Sequence, residues 1–468
     1  MNRQQPFWLW RNSPFQWAIA VIFLLSLLLR FWKLSQFNVL VFDEVYYAKF
    51  ANDYWLGKPF FPSHPPLSHY LIALGMAIGS LFPASPDTVN NLTGSLHSTW
   101  SYRWLNALTG SFIPILVAGL AYQLTQRRLF TVIVMGLAAL DGIYLVESRY
   151  ALNNIYLIFF GLLGQLFFLY YLQHHRLKDL ILAGIFLGCA GSVKWNGFAF
   201  LLGLYLLMAI AWLQKAVSHK EKPSDEKAIG LLTQLGNLKP LPLFLALVLL
   251  PMIVYSLLWI PHLLMNPDYR SLEGFWRIQK ETLSYHERIG NTPQVHPYCS
   301  PWYSWLILWR PVAYYYQTKG PQNIVYDVHS MANPILLWFS TGAMIILFGT
   351  VCLSFISRHR QSQQSQLLPL RGITLYIGIN YLANLLPWLK ISRCTFFYHY
   401  MAAYLFSWFA LALILENLIT KPNPFPRYLG LSILGFIALA FLYWLPIFLG
   451  LPLTSQAFYW RMLLPSWI

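Results

Sequence analysis

Charged residues are scarce in this chain. They make up only 10% of the 468 residues, whereas a soluble domain carries about 25%. Hydrophobic residues reach 57% and the mean hydropathy is +0.48, so a soluble protein is excluded and a polytopic membrane protein is indicated. The net charge of +16 is therefore attributed to loops on the cytoplasmic side of a membrane, and it does not indicate binding to nucleic acid.

Patterns typical of several other protein classes are also missing. The four cysteines, Cys189, Cys299, Cys352 and Cys394, form no C-x-x-C pair, so neither a zinc site nor a redox site is indicated. A disulfide between Cys299 and Cys394 stays open, because spacing alone does not predict pairing. The first apolar run, 15–32, has no A-x-A cleavage site, which favours a retained transmembrane helix over a signal peptide. The sequence shows no internal repeat, soluble domain or nucleotide motif.

Long apolar runs predict the transmembrane helices, each of which needs about 20 residues. Eleven segments are candidates: 15–33, 103–124, 129–147, 153–172, 178–193, 196–213, 241–261, 334–356, 372–389, 396–418 and 428–450. A further apolar piece, 67–82, is ambiguous by length. Twelve or thirteen spans are the alternative count, since spans as short as 178–193 need neighbours that bury their ends.

The distribution of Lys and Arg resolves the ambiguous segment. If 67–82 does not cross, the basic clusters share one side. These clusters are Arg3 and Arg11, Arg127 and Arg128, His174 to Lys178, the loop 214–240, Arg358, Arg360, Arg371, Lys421 and Arg427. The positive-inside rule then predicts eleven spans, with the N-terminus in the cytoplasm and the C-terminus outside. Segment 67–82 becomes a helix that lies in or re-enters the outer face.

This topology predicts three regions. The first is an N-terminal membrane module, 1–261, which includes a large outer loop, 34–102. A second outer loop, 262–333, separates it from a C-terminal region of four spans, 334–468.

The remaining charged or titratable residues gather at the predicted outer ends of the spans and in the first outer loop. They are Asp43, Glu44, Asp53, His64, Arg103, Glu147, Arg149, Lys194, Lys390 and Arg393, while Asp141 falls within a span. A charge in the middle of a span costs roughly 2.5–3.5 kcal/mol. Such a mixed collection on one side therefore indicates a polar chamber open to the outer face. For each residue alone, the alternative is an interfacial side chain that snorkels to water.

Asp43 and Glu44 are adjacent in the stretch "VFDEVYYAKF". Adjacent side chains diverge by about 100° on a helix and face opposite ways on a strand, so the two carboxylates are not expected to share a proton. One is expected to face a substrate and the other to pair with a base such as Arg103. The alternatives are a purely structural ion pair and a Mg²⁺ or Mn²⁺ site built from both.

Three further stretches add to this chamber. The prolines of "FFPSHPPLSHY" fix an extended segment and hold His64 in it. Arg149 in "ESRYALNN" and Lys194 in "SVKWNGF" provide cations at the boundary of water and lipid, where the phosphate of a lipid-linked ligand lies. Arg393 stands in "SRCTFFYHYMAAYLF", at another outer span end. Each cation has the alternative role of a topology anchor.

Five stretches resemble, in order along the chain, motifs of the protein O-mannosyltransferases. "FDEVYYAKFANDYWLGKPFFPSHPPL" is similar to the family's first outer loop, with an Asp-Glu pair followed by H-P-P-L. "YRWLNALTG" resembles its Arg-bearing second span, and "SRYALNN" its S-R-x-x-L-L-D. "SVKWNGF" resembles its V-K-W-x-G. "HPYCSPWYSWLILWRP" is similar to its H-P-Y-x-S-x-P-W-x-W-P-x-x-x-R-P, and the last four spans match its C-terminal region.

The resemblance implies an all-α, polytopic C-type glycosyltransferase (GT-C) fold with about eleven spans and two large outer loops. The donor would be a polyprenyl-phosphate-linked mannose, and the acceptor a Ser or Thr hydroxyl of a protein, possibly one crossing the membrane. The family's functional residues fall on Asp43, Glu44, His64, Arg103, Arg149 and Lys194.

This chain departs from the family pattern in three places. Leu152-Asn153-Asn154 stands where L-L-D is frequent, so a carboxylate is missing, and Pro62 stands where an Asp is common. The second outer loop is too short for the soluble β-trefoil domain of eukaryotic members. A bacterial-type member in the plasma membrane, with its site on the outer face, is therefore expected.

The chemistry of such a transfer, together with the resemblance, suggests roles for these residues. Asp43 is the expected general base, and Glu44 orients the site through Arg103. Arg149, Lys194 and Arg393 are expected to stabilise the leaving phosphate, with Arg103 and His64 also on the donor side. One displacement inverts the anomeric carbon. No metal or other cofactor is expected to be required, and the oligomeric state is not predicted.

Two other functions remain as alternatives. One is a sister transferase that moves a lipid-linked sugar onto a lipid or a glycan. The other is a transporter, which would show broken helices or repeats at the membrane midplane.

Overall fold

The structure is a computed structural model that describes residues 13–217, 230–290, 295–356 and 364–468. Arg3, Arg11, Arg358 and Arg360 lie outside these ranges, as does the part of the predicted cytoplasmic linker at 218–229. The predicted sidedness of the loops and the division at 261 and 333 stay predictions.

Helices dominate the described chain. They are α1 (Pro14–Phe31), α2 (Glu44–Leu56), α3 (Leu67–Gly79), α4 (Thr99–Ser111), α5 (Ile113–Thr125), α6 (Arg128–Ala139), α7 (Gly142–Arg149), α8 (Asn154–His174), α9 (Leu177–Val193), α10 (Ala199–Val217), α11 (Leu231–Gly236), α12 (Pro240–Phe244), α13 (Leu250–Met265), α14 (Leu272–Arg288), α15 (Pro334–Ile356), α16 (Gln364–Leu385), α17 (Met401–Ile419), α18 (Pro424–Leu449) and α19 (Ser455–Tyr459). Helix α17 is buried along most of its length and packs against α6, α15, α16 and α18.

Most of the predicted spans correspond to long apolar helices. Eight helical segments of the described chain are long and apolar enough to cross a membrane, and the bent pair α6–α7 makes a ninth. The other two predicted spans, 178–193 and 372–389, coincide with α9, which has 17 residues, and with α16, which carries the buried polar residues Asn380 and Asn384. The predicted count of eleven is therefore not confirmed, although a helix lies at each predicted position.

The bend between α6 and α7 accounts for the charge within a predicted span. The two helices meet at 56°, and Asp141 is the N-cap of α7. Its carboxylate accepts hydrogen bonds from the Tyr144 N–H at 3.1 Å and the Tyr404 hydroxyl at 3.0 Å. A helix that starts inside a bundle leaves backbone N–H groups that need such an acceptor.

The ambiguous segment 67–82 forms the short helix α3. Its 13 residues extend about 20 Å at 1.5 Å per residue, less than the roughly 30 Å of a hydrocarbon core. This length agrees with the prediction that the segment does not cross. Helix α3 lies close against α4: a Cβ added to Gly79 would come within 2.5 Å of the Ser101 Cβ.

Two β-hairpins, which the sequence analysis did not predict, form in the two large loops. One joins β1 (Val89–Leu92) to β2 (Ser95–Ser98), and the other joins β3 (Val312–Lys319) to β4 (Ile324–Ser330). The second hairpin has an irregularity in its register between Ala313 and Tyr315. A bulge of this kind redirects a side chain, and here Tyr314 is buried.

The two large loops meet at one end of the helical bundle. The Phe60 N–H donates to the Asn266 side-chain oxygen at 2.9 Å, and the His286 Nε2 donates to the Ser63 carbonyl at 2.9 Å. The rings of Phe42 and Tyr314 stack with centroids 4.2 Å apart. The first loop therefore packs against the second loop at this end of the bundle, and we call the region between them and the adjoining span ends the chamber.

Candidate active site

Asp43 lies at the start of α2, where the chain turns from the loop into the helix. It occupies the N-cap position, but its side chain does not cap the helix. Phe42, before it, has a positive φ of 50°, and its ring rests on Tyr314. In the described part of the chain, the half-buried Asp43 carboxylate makes neither a hydrogen bond nor an ion pair. It is therefore free to act on a ligand.

Glu44, one residue later, has no such freedom. Its carboxylate is completely buried and forms a two-pronged ion pair with Arg103: Nε lies 2.8 Å from Oε1 and Nη2 lies 2.6 Å from Oε2. The backbone N–H groups of Val41 and Ala151 each donate to it at 2.8 Å. The two adjacent carboxylates thus diverge, and Glu44 pairs with Arg103 as the sequence analysis anticipated.

Arg103 is fully occupied by these contacts. Besides Glu44, its guanidinium donates to the carbonyls of Leu34, Phe37 and Val39 at 2.8–3.1 Å, and its side chain is completely buried. Arg103 therefore fixes the loop that precedes Asp43. The predicted contact of Arg103 with a donor has no support in this geometry.

Lys194 stands in the same space as Asp43. It follows the end of α9 and is buried, with its Nζ 5.4 Å from the centre of the Tyr398 ring and 3.5 Å from the Asn154 Oδ1. Burial raises the pKa of the Asp43 carboxyl to about 6, and the positive charge of Lys194 opposes this rise. Phe42, next to Asp43, packs its ring 6.1 Å from that of Tyr398, so Asp43 and Lys194 are grouped around the same tyrosine.

His64 and Arg393 complete this group. The His64 ring stacks on His286 with centroids 4.9 Å apart. Burial lowers the pKa of His64 well below its usual value, and the charges of Lys194 and Arg393 add to the effect, so His64 is neutral at pH 7. Arg393 is part-buried, and within the described residues its one hydrogen bond goes to the Cys394 carbonyl at 3.1 Å. Its remaining N–H groups are available for a ligand.

The Arg149 side chain points away from Asp43 and Lys194, toward α1. Its Nη1 donates to the carbonyls of Leu29 and Arg30 at 2.8 and 3.2 Å, which places the guanidinium against the C-terminal end of α1. Its Nε has no partner within the described residues. The structure thus brings Asp43, Lys194, His64 and Arg393 together, but it does not bring Arg103 or Arg149 into that group.

Several residues of the chamber were missed by the sequence analysis. They are Glu147, Asn154, His286, Tyr314 and Tyr398. His286 had no signal in the sequence, because it lies on α14 among other polar residues of a loop. Glu147 was noted as a charge but received no role, and it accepts hydrogen bonds from the Tyr314 hydroxyl and, at 3.0 Å, from the Asn154 amide.

A disulfide joins the two segments that close the chamber. Cys299 and Cys394 are bonded, which answers the pairing question that the sequence left open. Next to the bond, the Ser300 N–H donates to the Thr395 carbonyl at 2.8 Å, and the Thr395 hydroxyl donates to the Ser300 carbonyl at 2.7 Å. The second large loop is thereby fixed to the segment that carries Arg393.

A metal site built from Asp43 and Glu44 has no support in this geometry. Both Glu44 oxygens are engaged by Arg103 and by backbone N–H groups, so Glu44 offers no open ligand position beside Asp43. Among the described residues, no cluster of three or more His, Cys, Asp or Glu side chains could hold a metal ion.

Comparison with known proteins identifies the family and the fold. Residues 20–264 match the dolichyl-phosphate-mannose-protein mannosyltransferase family, and residues 271–467 match the C-terminal four TMM region of protein-O-mannosyltransferase. Two relatives, from Corynebacterium glutamicum and Mycolicibacterium smegmatis, are both named polyprenol-phosphate-mannose--protein mannosyltransferase. Each is 25% identical; the alignments cover 98% and 96% of this chain and 94% and 93% of the relatives.

A solved structure shares the whole architecture. The S. cerevisiae protein O-mannosyltransferase Pmt1-Pmt2 complex bound to the sugar donor superimposes with a TM-score of 0.81 at 15% identity, over 98% of this chain and 93% of that chain. The fold is thus the C-type glycosyltransferase architecture, as predicted. The chain belongs to the dolichyl-phosphate-mannose-protein mannosyltransferase family and is an integral membrane glycosyltransferase.

Proposed function

We infer that this protein transfers mannose from a polyprenyl-phosphate-linked donor to Ser or Thr hydroxyls of proteins, with inversion at the anomeric carbon. One observation carries the proposal. In a chain with the family's motifs, the unengaged carboxylate of Asp43 and the cation Lys194 are grouped around Tyr398, and the charge of Arg393 also acts on Lys194. A base and fixed cations are the two elements that a single displacement at a glycosyl phosphate needs.

The reaction follows from these groups. The acceptor oxygen attacks the anomeric carbon while Asp43 takes the hydroxyl proton. The bond between the anomeric carbon and the phosphate oxygen breaks, and polyprenyl phosphate leaves with the electron pair. Its added negative charge is stabilised by Lys194 and Arg393. Because the departing phosphate takes up this charge itself, no general acid is required.

We also propose that the chamber opens at the outer face of a bacterial plasma membrane, where proteins crossing the membrane present their hydroxyls. The bias of Lys and Arg toward the opposite loops supports this orientation. The Cys299–Cys394 disulfide supports it too, because disulfides persist in oxidising compartments and are rare in the cytosol.

Transfer from radiolabelled polyprenyl-phosphate mannose to a Ser/Thr-containing peptide tests the function. The purified protein is assayed with peptide, with a lipid or glycan acceptor, and with each in the presence of a chelator. Label on the peptide, insensitive to chelator, is the expected result. Label only on the lipid or glycan acceptor would replace the protein acceptor with the sister activity.

The proposed phosphate contacts predict a loss of donor affinity. Lys194→Ala and Arg393→Ala should each weaken binding of polyprenyl-phosphate mannose by about tenfold or more, since a hydrogen bond to a charged group is worth about 1.5–3 kcal/mol. Lys390→Ala is the matched control, because Lys390 is an exposed cation three residues from Arg393. Donor affinities that stay equal in all three variants would contradict this assignment. Donor binding by Arg149→Ala tests the predicted contact between Arg149 and the donor phosphate.

The pKa of Asp43 predicts the pH dependence of transfer. A base must be deprotonated to accept a proton, so kcat/KM should be constant well above pH 6 and fall about tenfold per pH unit well below it. The measurement is kcat/KM between pH 4.5 and 8, with recovery of activity at pH 7.5 after exposure to each pH as a control. A profile that is flat between pH 5 and 7 would exclude a base with this pKa.

A further inference from the structure

Glu147 is a buried carboxylate for which the proposed reaction has no use. It lies on α7, is completely buried, and accepts hydrogen bonds from the hydroxyls of Tyr314 and Ser330 and from the Asn154 amide. A buried carboxyl group is costly unless it is hydrogen-bonded, so its partners indicate what it does.

One of these partners, Asn154, leads to Lys194. Asn154 lies between Glu147 and Lys194: its Nδ2 donates to the Glu147 Oε2 at 3.0 Å, and its Oδ1 accepts from the Lys194 Nζ at 3.5 Å. Burial lowers the pKa of Lys194 to about 8 and the charge of Arg393 adds to this fall, whereas Asp43 and Glu147 oppose it. The uncharged Asn154 side chain therefore connects the Glu147 carboxylate to the Lys194 ammonium by two hydrogen bonds.

We propose that Glu147 is a positioning residue that holds Lys194 in place through Asn154. Asp43 cannot serve this purpose throughout a turnover, because it is neutralised when it takes the acceptor proton. The Glu147 side chain behind Asn154 keeps the amide oriented, and the amide oxygen in turn orients the ammonium. This inference rests on the proposed contact between Lys194 and the donor phosphate.

Charge removal and relocation test the proposal. Glu147→Gln should weaken donor affinity about tenfold or more and lower kcat less. Adding Asn154→Asp places a carboxylate where the Asn154 Oδ1 now lies 3.5 Å from the Lys194 Nζ. The glutamine amide at position 147 can then donate to that carboxylate, which replaces the present hydrogen bond from Asn154 to Glu147. The double variant should recover most of the lost affinity. The measurement is equilibrium binding and kcat against KM for polyprenyl-phosphate mannose in nanodiscs.

Asp141→Asn provides the matched control. Asp141 is also completely buried and also accepts from a tyrosine hydroxyl, but Lys194 is not among the groups it acts on. Its substitution should leave donor affinity within about twofold, since Asp141 is not among the charges that act on Lys194. An equal loss of affinity in Asp141→Asn would mean that buried carboxylates act through general stability, and it would overturn the proposal.

The remaining outcomes separate this inference from the proposed function. If Lys194→Ala leaves donor affinity unchanged, the phosphate contact itself fails. If Lys194→Ala weakens the donor but Glu147→Gln does not, only the positioning role fails. If Glu147→Gln weakens the donor and Asn154→Asp does not restore it, Glu147 serves the packing of Tyr314 instead, and the positioning role is overturned. Asn154→Asp alone, with its thermal unfolding midpoint, verifies that position 154 accepts a carboxylate.

Discussion

Replacing Asp43 with asparagine (Asp43→Asn) is expected to lower kcat by about 10²–10⁴-fold, the range that general-base catalysis typically contributes. The amide has the size of the carboxylate but cannot accept the acceptor proton. Because the Asp43 side chain makes no hydrogen bond or ion pair within the described residues, the fold has little to lose. Donor affinity is therefore expected to stay nearly unchanged.

The measurement is single-turnover transfer to a Ser/Thr peptide, together with direct binding of the donor. Asp53→Asn is the matched control, since Asp53 lies on the same helix and its carboxylate accepts from the Thr93 hydroxyl at 2.9 Å, outside the chamber. Near-normal turnover in Asp43→Asn would remove Asp43 as the base. A loss of turnover in both variants would indicate damage to α2 and would not support a proton transfer.

Breaking the buried ion pair beside Asp43 is expected to be the most destabilising single charge removal in the described chain. Glu44→Gln leaves the Arg103 guanidinium buried without its counter-charge, and removing one partner of such a pair costs about 3–5 kcal/mol. Since Arg103 also holds the carbonyls of Leu34, Phe37 and Val39, the loop before Asp43 should loosen as well. Transfer should fall even at temperatures where the variant remains folded.

The measurement is the free energy of unfolding in detergent, obtained by titration with a denaturant. Glu416→Gln is the matched control: its partner Arg127 lies 2.9 Å away but is 41% exposed, so water can solvate the cation that remains. A pair of this kind is worth about 0–1 kcal/mol. Equal losses in the two variants would show that the Glu44–Arg103 pair has no special weight.

The sequence was informative where one physical rule governs a residue. Lipid demands long apolar helices, so the helices were found at every predicted span. The divergence of neighbouring side chains on a helix separates Asp43 from Glu44, and the structure has that separation. Counting the spans was harder, because α9 is short and α16 carries two buried asparagines. One of them, Asn380, has a partner on another helix: the Gln165 Nε2 lies 2.9 Å from its Oδ1.

The site was harder to predict wherever a side chain depends on distant segments. Arg149 carried a strong motif, but no local rule indicates that its guanidinium turns to the end of α1. His286 and Tyr314 reach the site on a helix of the second large loop and on a bulged strand, and nothing local to either residue indicates which segment it meets. The disulfide joins residues 95 positions apart, a distance over which spacing carries no information.

The route of the chain through the chamber has a consequence for biosynthesis. Asp43 enters the membrane region among the first residues to be made, whereas Arg393 and its neighbour Cys394, which pairs with Cys299, emerge only near the end of translation. With the roles proposed above, a nascent chain has its proton acceptor long before it has all of its phosphate contacts. Until the segment that carries Arg393 has been inserted, the growing enzyme should bind its lipid-linked donor more weakly than the finished enzyme does.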